Sequence, residues 1–186
     1  VDPEAIRVMP TACGGGFGSK IDISFQPYVA LAAWKLDRPA RICYSRGESM
    51  RASTKRHPSD IHLRVGCDDK GLISGFVFDG IFNTGAYASW GPTVANRVPI
   101  HACGPYKTDH YRATSVAVHT NAPPAGAFRG FGVPQSAIAQ ECAYDLLADE
   151  IGMDRRAFRR INALKNGIPT VTGQIFKNGV GIDDCF

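Results

Sequence analysis

The sequence predicts an α+β domain with a mixed or antiparallel sheet, a β-hairpin and packed helices. Apolar and polar residues alternate over 61–67, a DDKG turn follows, and an apolar segment returns over 72–82, which is typical of a hairpin. A helical pattern over 134–151 begins at Pro134 and is followed by Gly152, as helix ends often are. Helices combined with antiparallel strands are typical of the α+β class.

Length and composition predict one domain over 1–186. The chain has 186 residues, of which 44% are hydrophobic and 20% charged, values of globular rather than disordered proteins. The net charge is only +4, and the basic clusters at 51–57 and 155–160 lack the interleaved aromatics of single-strand nucleic-acid binders. We therefore expect both clusters to be solvated faces, with no nucleic-acid partner. No apolar run has the ~20 residues of a membrane span.

Cysteine usage points to an intracellular protein with reduced thiols. No two of the six cysteines have the close spacing of a zinc or iron–sulfur site, and several lie in apolar runs, where they are expected to be buried. They are Cys13, Cys43, Cys67, Cys103, Cys142 and Cys185. We expect a cytoplasmic location. The start without methionine and the abrupt end at Phe186 suggest a fragment or split piece of a larger catalytic subunit.

The segments before the hairpin are predicted as two short strands and one helix. They are strands at 5–9 and 39–45 and a helix at 22–36. Asp22 or Ser24 is the expected helix cap, and Pro27 should lie in the first turn.

The segments after the hairpin are one undecided stretch, one strand and two helices. Residues 84–103 are either irregular or a short helix, and 111–120 is a strand. The helix at 134–151 should bury an apolar stripe, and Asp154 should cap a shorter helix that ends near Leu164. The expected stripe is Ile138, Cys142, Ala143, Leu146 and Leu147.

Two glycine-rich loops carry the chemical information, ACGGGFGSK at 12–20 and AGAFRGFG at 125–132. Each contains a Phe-Gly pair and leads into a predicted helix. Glycines permit positive φ, and a loop at a helix N-terminus presents backbone N–H groups to an anion. Lys20 and Arg129 add positive charge. The first loop lacks the G-x-x-x-x-G-K-S/T spacing of a nucleotide-binding P-loop, so structural tight turns and an anion or cofactor cradle both remain open.

A resemblance favours the cofactor cradle. The first loop, RPARICYSRGESM at 38–50, KRHP at 55–58 and HTNAPPAGAFRGFGVPQSAIAQECAYDLLADEIGMD at 119–154 resemble, in order, the large subunit of molybdenum hydroxylases, the xanthine dehydrogenase and aldehyde oxidoreductase family. The later TGQ at 172–174 agrees with that family as well.

The resemblance implies a molybdenum–molybdopterin cofactor, for which the cytosine dinucleotide form is one alternative. It also implies partners that contribute the rest of the molybdenum subunit, iron–sulfur clusters and, in some members, FAD, together with a small-molecule substrate. The protein shapes such a site and supplies hydrogen bonds, while the cofactor carries the chemistry. We expect the isolated chain to hold no cofactor and to be inactive.

The resemblance also assigns residue roles. Phe131 and Ile21 should contact substrate, the Phe17 backbone should approach the oxo ligand of the metal, and Arg129 should act in catalysis beside the metal without ligating it. The implied cofactor-binding residues are Gly15, Gly16, Phe17, Gly18, Phe128, Arg129 and Gly130.

Each assignment has a structural alternative. Phe128 is better explained as a core anchor, Arg129 could pair with a nearby acid, and Lys20 should stabilise its loop. Arg97 could face a polar substrate, although a surface salt bridge is the expected role.

Several family features are absent. The family's catalytic glutamate lies in a G-x-G-E segment, which this sequence lacks. Ile21 stands where purine-hydroxylating members carry glutamate, and 125–132 lacks the cysteine of carbon monoxide-oxidising members. The remaining substrates are an aldehyde, an aromatic N-heterocycle or an aromatic acyl thioester, oxidised with water as oxygen source. The rival hypothesis is a non-enzymatic α+β module that binds a ligand or forms a subunit interface.

Overall fold

The computed structural model describes residues 2–186, which contain one three-stranded sheet, six α-helices and a short 3-10 helix. The strands are β1 (Ser59–Cys67), β2 (Ile73–Gly85) and β3 (Tyr111–His119), and Pro3–Ala5 is a short 3-10 helix. The α-helices are α1 (Gln26–Leu36), α2 (Arg46–Ala52), α3 (Gly91–His101), α4 (Val133–Glu150), α5 (Arg155–Asn162) and α6 (Ile182–Cys185). This confirms the α+β class.

The sheet has the order β1-β2-β3 and is mixed. β1 and β2 form the predicted antiparallel hairpin, with Leu63 opposite Phe78. β3 pairs parallel to β2, with Ala113 opposite Phe78. A parallel pair needs a crossover, and α3 lies within that crossover, so the undecided stretch at 84–103 resolves as a helix.

The core lies between the sheet and α3, α4 and α5. Phe78 and Phe82 of β2, Val98 of α3, Tyr144 of α4 and Phe158 of α5 are fully buried. The ring of Tyr144 packs edge-on against Tyr106, with centroids 5.2 Å apart. Burying each such side chain contributes about 1.5–3 kcal/mol.

Helix α4 lies where the sequence predicted it, but the face that it buries is not the predicted apolar stripe. Ile138 and Leu146 are 69% and 71% exposed, and Cys142 is exposed as well. The buried residues are Gln135, Ser136, Gln140, Tyr144 and Ala148. Hydrogen bonds satisfy two of the polar members: Gln135 Nε2 donates to the His57 carbonyl at 3.2 Å, and Ser136 Oγ donates to the Val133 carbonyl at 3.0 Å.

The basic cluster at 155–160 forms ion pairs rather than a merely solvated face. Asp154 caps α5 as predicted, accepting from the Ala157 N–H at 2.8 Å. Arg159 is largely buried between Glu141 and Asp145, at 2.7 and 2.8 Å. The cluster thus joins α5 to α4.

Several predictions before the hairpin are wrong. Residues 5–9 and 39–45 form no strand, because no neighbouring strand supplies a ladder. Helix α1 begins at Gln26 and has Phe25 at its N-cap position, so neither Asp22 nor Ser24 caps it, although Pro27 does lie in its first turn.

Helix α2 was not predicted. Its start is a capping box in which Ser45 and Glu48 satisfy each other's backbone N–H groups. The S-x-x-E spacing at 45–48 is the sequence signal that could have revealed it.

The prediction that several cysteines are buried is mostly wrong. Cys103 is buried and Cys67 half-buried, whereas the other four are exposed, and all six are free thiols. Burial raises the pKa of Cys103 to about 11. Among residues 2–186 no helix is long and apolar enough to cross a membrane.

Candidate functional site

The two glycine loops meet directly. The Arg129 backbone N–H donates to the Phe17 carbonyl oxygen at 2.8 Å. At Gly18, φ is +94° and an added Cβ would lie 2.5 Å from the Ala127 carbonyl oxygen, so only glycine permits this approach. The structure thus brings the two loops together, and each precedes a helix, α1 or α4.

Each loop holds one phenylalanine in the left-handed region. Phe17 has φ of 52° and Phe131 has φ of 50°. Such a backbone costs a bulky residue about 1–3 kcal/mol and occurs chiefly at functional sites. Phe17 is 62% exposed at the loop surface, so core packing does not account for its conformation. The strain is evidence that the loop shape itself is needed.

The loops present unused hydrogen-bond donors. Within residues 2–186, the backbone N–H groups of Gly15, Gly16, Phe17, Gly18, Phe128 and Gly130 donate to no protein acceptor. Clustered N–H groups without partners suit an oxygen-rich, anionic ligand. These residues therefore fit a pterin cofactor with its phosphate and metal oxo groups.

Arg129 is exposed beside this donor set. Its guanidinium carbon lies 5.7 Å from the centroid of the Phe17 ring. No carboxylate in the described part of the chain pairs with it, so the alternative of an acid-paired Arg129 finds no support there. An unneutralised guanidinium remains available to an anion.

Lys20 stabilises its own loop, as predicted. Its Nζ donates to Cys13 Sγ at 3.1 Å, and the Cys13 thiol lies 3.5 Å from the Gly15 carbonyl oxygen. The hydrogen bond from Lys20 is the main cause of a lowered pKa at Cys13. The contact between Lys20 and Cys13 thus joins the two ends of the loop.

Arg56 is the contact that sequence reasoning missed. Its Nη2 donates to the Arg129 carbonyl oxygen at 2.5 Å and its Nη1 to Gln135 Oε1 at 3.4 Å. Its guanidinium lies 4.7 Å from the Phe128 ring centroid, so Phe128 is half-buried against a cation rather than anchored in the core. The 51–57 cluster is therefore not merely a solvated face. No sequence spacing signals a contact between positions so far apart.

Two further groups lie near the loops, a half-buried aspartate and a buried histidine. Ser89 donates to Asp22 Oδ1 at 2.7 Å, which joins the residues just after the first loop to the turn before α3. His57 is buried, and burial together with the nearby Arg56 charge lowers its pKa. Neither role has a sequence signal.

An aromatic and cationic group lies beside the second loop. The Phe131 ring packs edge-on against Trp90, with centroids 6.2 Å apart, and the Arg97 guanidinium lies 6.0 Å from the same ring. Arg97 forms no salt bridge with any described residue, contrary to expectation. Ile21, the residue after the first loop, has an exposed side chain, and its N–H donates to the Gly18 carbonyl.

No cluster of three or more histidine, cysteine, aspartate or glutamate side chains within residues 2–186 is arranged to hold a metal ion. The two loops offer a ligand their backbone N–H groups and the guanidinium of Arg129.

Fold and site together are those of an α+β domain in which two glycine loops meet and present backbone donors suited to an anionic cofactor. Residues 1–163 match the family model of the molybdopterin cofactor-binding domain, and the chain belongs to that family.

Named relatives agree with this membership. The chain is 40% identical over 177 residues to the nicotinate dehydrogenase large molybdopterin subunit of Eubacterium barkeri, covering 95% of this chain and 42% of that protein. It is 36% identical over 163 residues to the xanthine dehydrogenase molybdenum-binding subunit of Escherichia coli O157:H7, covering 87% and 22%. The aldehyde oxidoreductase structure from Desulfovibrio gigas superposes with a TM-score of 0.82 at 30% identity, covering 92% and 19%. The chain spans less than half the length of each.

Proposed function

We propose that this chain is part of the molybdopterin-binding catalytic subunit of an oxidoreductase that hydroxylates an aromatic N-heterocycle, with water as the oxygen source. An aldehyde substrate is the alternative. The observation that carries the proposal is the junction of the two loops, where the Phe17–Arg129 hydrogen bond brings both donor sets together. Family membership favours this function over a non-enzymatic binding module.

The proposed cofactor contacts are the unused N–H groups of the loops. Those of Gly15, Gly16 and Gly18 would hold polar groups of the cofactor from one side, and those of Phe128 and Gly130 from the other. Residues in the left-handed region hold these backbone donors in place, so the donors need not rearrange when the cofactor binds. The entropic cost of binding is therefore lower. The bound molybdenum–pterin group would supply the two-electron redox chemistry.

Arg129 is the proposed catalytic residue. Its guanidinium is exposed, unpaired with acid in the described structure and held beside Phe17. A fixed cation placed where negative charge develops lowers an activation barrier, because the site need not reorganise during the reaction.

The proposed substrate contacts favour a flat aromatic ring that carries an anionic group. Phe131 and Trp90 offer ring faces and edges, and Arg97 offers a guanidinium without an acidic partner in the described chain. The relative that is 40% identical is named for nicotinate, an aromatic N-heterocycle with a carboxylate. Ile21, in place of a purine-binding glutamate, is an apolar contact for the same ring.

The proposed partners are the remainder of the molybdenum subunit, an iron–sulfur subunit and, in one arrangement, a flavin subunit. Helix α1 supports a packing partner of this kind, because Tyr28, Leu31 and Trp34 all expose large apolar surfaces. The cytoplasmic location remains a prediction.

The test is native purification of the complex that contains this chain. Molybdenum and pterin are quantified, and reduction of an artificial electron acceptor is followed with nicotinate, quinoline, xanthine and benzaldehyde. We expect turnover with nicotinate above the others, with oxygen from isotope-labelled water in the product. A complex without molybdenum would overturn the function, whereas preference for benzaldehyde would overturn only the substrate class.

A further inference from the structure

Residues 55–57, shortly before β1, make hydrogen bonds that hold the second glycine loop. The Gly126 N–H donates to the Lys55 carbonyl at 3.1 Å, and Gln135 Nε2 donates to the His57 carbonyl at 3.2 Å. Between these two contacts, Arg56 reaches the Arg129 carbonyl oxygen and Gln135 Oε1. Three successive residues of one segment therefore hold the loop and the first turn of α4.

Arg129 is fixed at both of its backbone polar groups. Its N–H is held by the Phe17 carbonyl, and its carbonyl oxygen is held by Arg56 Nη2. The direction in which its side chain leaves the loop follows from these two bonds, because they fix the peptide planes on either side of the Cα atom.

The contacts of Arg56 need an arginine. Two N–H groups of one planar guanidinium reach two different oxygens while its face covers the Phe128 ring at 4.7 Å. A lysine ammonium lacks the planar fork that makes these contacts together. No carboxylate in the described residues pairs with Arg56, so neutral carbonyl and amide oxygens alone orient it.

We propose that Arg56 is a positioning residue for the cofactor site, holding the Arg129 peptide so that the Arg129 guanidinium faces the bound cofactor. This role rests on the proposed function for its consequence in turnover, although the backbone restraint itself does not. Arg56 touches neither substrate nor cofactor in this proposal and acts only through the loop.

The test compares Arg56→Lys with the wild-type protein and with Arg51→Lys. Arg51 is a matched control, because it is an exposed arginine on α2 whose Nε donates to the carbonyl of Gly47 in the same helix. Amide hydrogen exchange is measured at Arg129 and Phe131, and at Phe78 of β2, in the cofactor-free and cofactor-loaded protein. Turnover per bound molybdenum and KM are measured with nicotinate.

We expect Arg56→Lys to speed exchange at Arg129 and Phe131 about tenfold, as the loss of one restraining hydrogen bond implies. Exchange at Phe78 should not change, and kcat per molybdenum should fall with KM little altered. Arg51→Lys should match wild type in every measurement. Unchanged exchange at Arg129 and Phe131 in Arg56→Lys would overturn the proposal.

Should Arg56→Lys unfold, as faster exchange at Phe78 would reveal, Gln135→Met replaces it. That variant removes Gln135 Oε1, one of the two acceptors of Arg56, together with the Gln135 Nε2 bond to the His57 carbonyl, and it leaves the Arg56 bond to the Arg129 carbonyl in place. A smaller acceleration at the same amides is expected, and no acceleration would overturn the proposal. Wild-type protein that binds no molybdopterin would overturn the proposed function, while the exchange result would still decide the restraint by Arg56.

Discussion

The Phe17 carbonyl oxygen accepts the Arg129 backbone N–H across 2.8 Å, and the Arg129 guanidinium returns to lie 5.7 Å from the centroid of the Phe17 ring. The two residues thus bind each other twice, once through backbone and once through side chains. The side-chain contact is weak at an exposed site, about 0.5–1 kcal/mol, so the backbone bond determines the junction.

Arg129→Ala in the complete enzyme should lower turnover per bound molybdenum roughly a hundredfold, since a preorganised charge of this kind is worth about 3 kcal/mol. The fold should remain intact, because the side chain is exposed. Arg129→Lys should recover part of the turnover, since it restores charge without the planar fork. Arg64→Ala on β1 is the control. If Arg129→Ala keeps near wild-type turnover, the role of Arg129 is structural. If the variant loses the cofactor completely, Arg129 acts in cofactor binding rather than in catalysis.

Gly18→Ala should separate the two loops. An added Cβ would meet the Ala127 carbonyl oxygen at 2.5 Å, and φ is +94°, so both clash and backbone strain oppose the change. We expect the free energy of unfolding to fall by about 1–3 kcal/mol in urea titrations. Gly14→Ala is the matched control, because a Cβ there meets nothing within 4 Å. Equal stability of the two variants would contradict a tight junction.

The first glycine loop also contains a hydrogen bond from Lys20 to the titratable thiol of Cys13. The hydrogen bond from Lys20 lowers the pKa of Cys13, so more thiolate is present at a given pH than at an ordinary thiol. Lys20→Met should shift the pH profile of Cys13 alkylation, measured by mass spectrometry, to higher pH, while Lys35→Met should not. Cys103, buried with a pKa raised to about 11, should stay unmodified in the folded protein. An identical Cys13 profile in Lys20→Met would contradict the contact.

Local signals in the sequence predicted the hairpin, α4 and the α5 cap, because alternation, Pro134, Gly152 and Asp154 act within a few residues. The same reasoning failed for the buried face of α4. There the apolar row of Ile138 and Leu146 competes with the row of Gln140 and Tyr144, and the packing of the Tyr144 ring against aromatic rings distant in sequence decides which row is buried.

The site was predictable in part for a similar reason. Glycines and the Phe-Gly pairs marked the loops in the sequence, and the structure shows that the two loops meet. The supports of these loops, Arg56 and Asp22, act on partners distant in sequence, and no spacing rule describes such contacts.

His57 should make stability depend on pH. Its side chain is only 3% exposed, and its pKa in the folded state lies below 6.5, first through burial and then through Arg56. The unfolded chain therefore binds the proton more readily, so the contribution is present above pH 6.5 and is lost as pH falls below it. Urea unfolding should show a steeper loss below pH 6.5 for wild type than for His57→Gln. His62→Gln, at an exposed position, should behave as wild type, and identical slopes for all three proteins would contradict this.

The 186-residue chain expressed alone should contain no molybdenum, because the described loops offer only some of the contacts that a bulky cofactor needs. Elemental analysis of the purified chain is the measurement, and molybdenum at one atom per chain would contradict the expectation. The exposed apolar face of α1 should make the isolated chain associate with rising concentration. Leu31→Glu with Trp34→Glu should reduce that association in sedimentation experiments, whereas Lys35→Glu should not.

The parallel pairing of β2 and β3 sets an order of assembly. Residues of β1 and β2 meet across a short turn, whereas β3 can join only after the crossover containing α3 has closed, and closing a longer loop costs more entropy. The second glycine loop follows β3 directly, so we expect the hairpin to gain exchange protection early in refolding and the Phe17–Arg129 junction to form last. A newly made chain would then acquire its ligand-binding edge only after the rest of its sheet is complete.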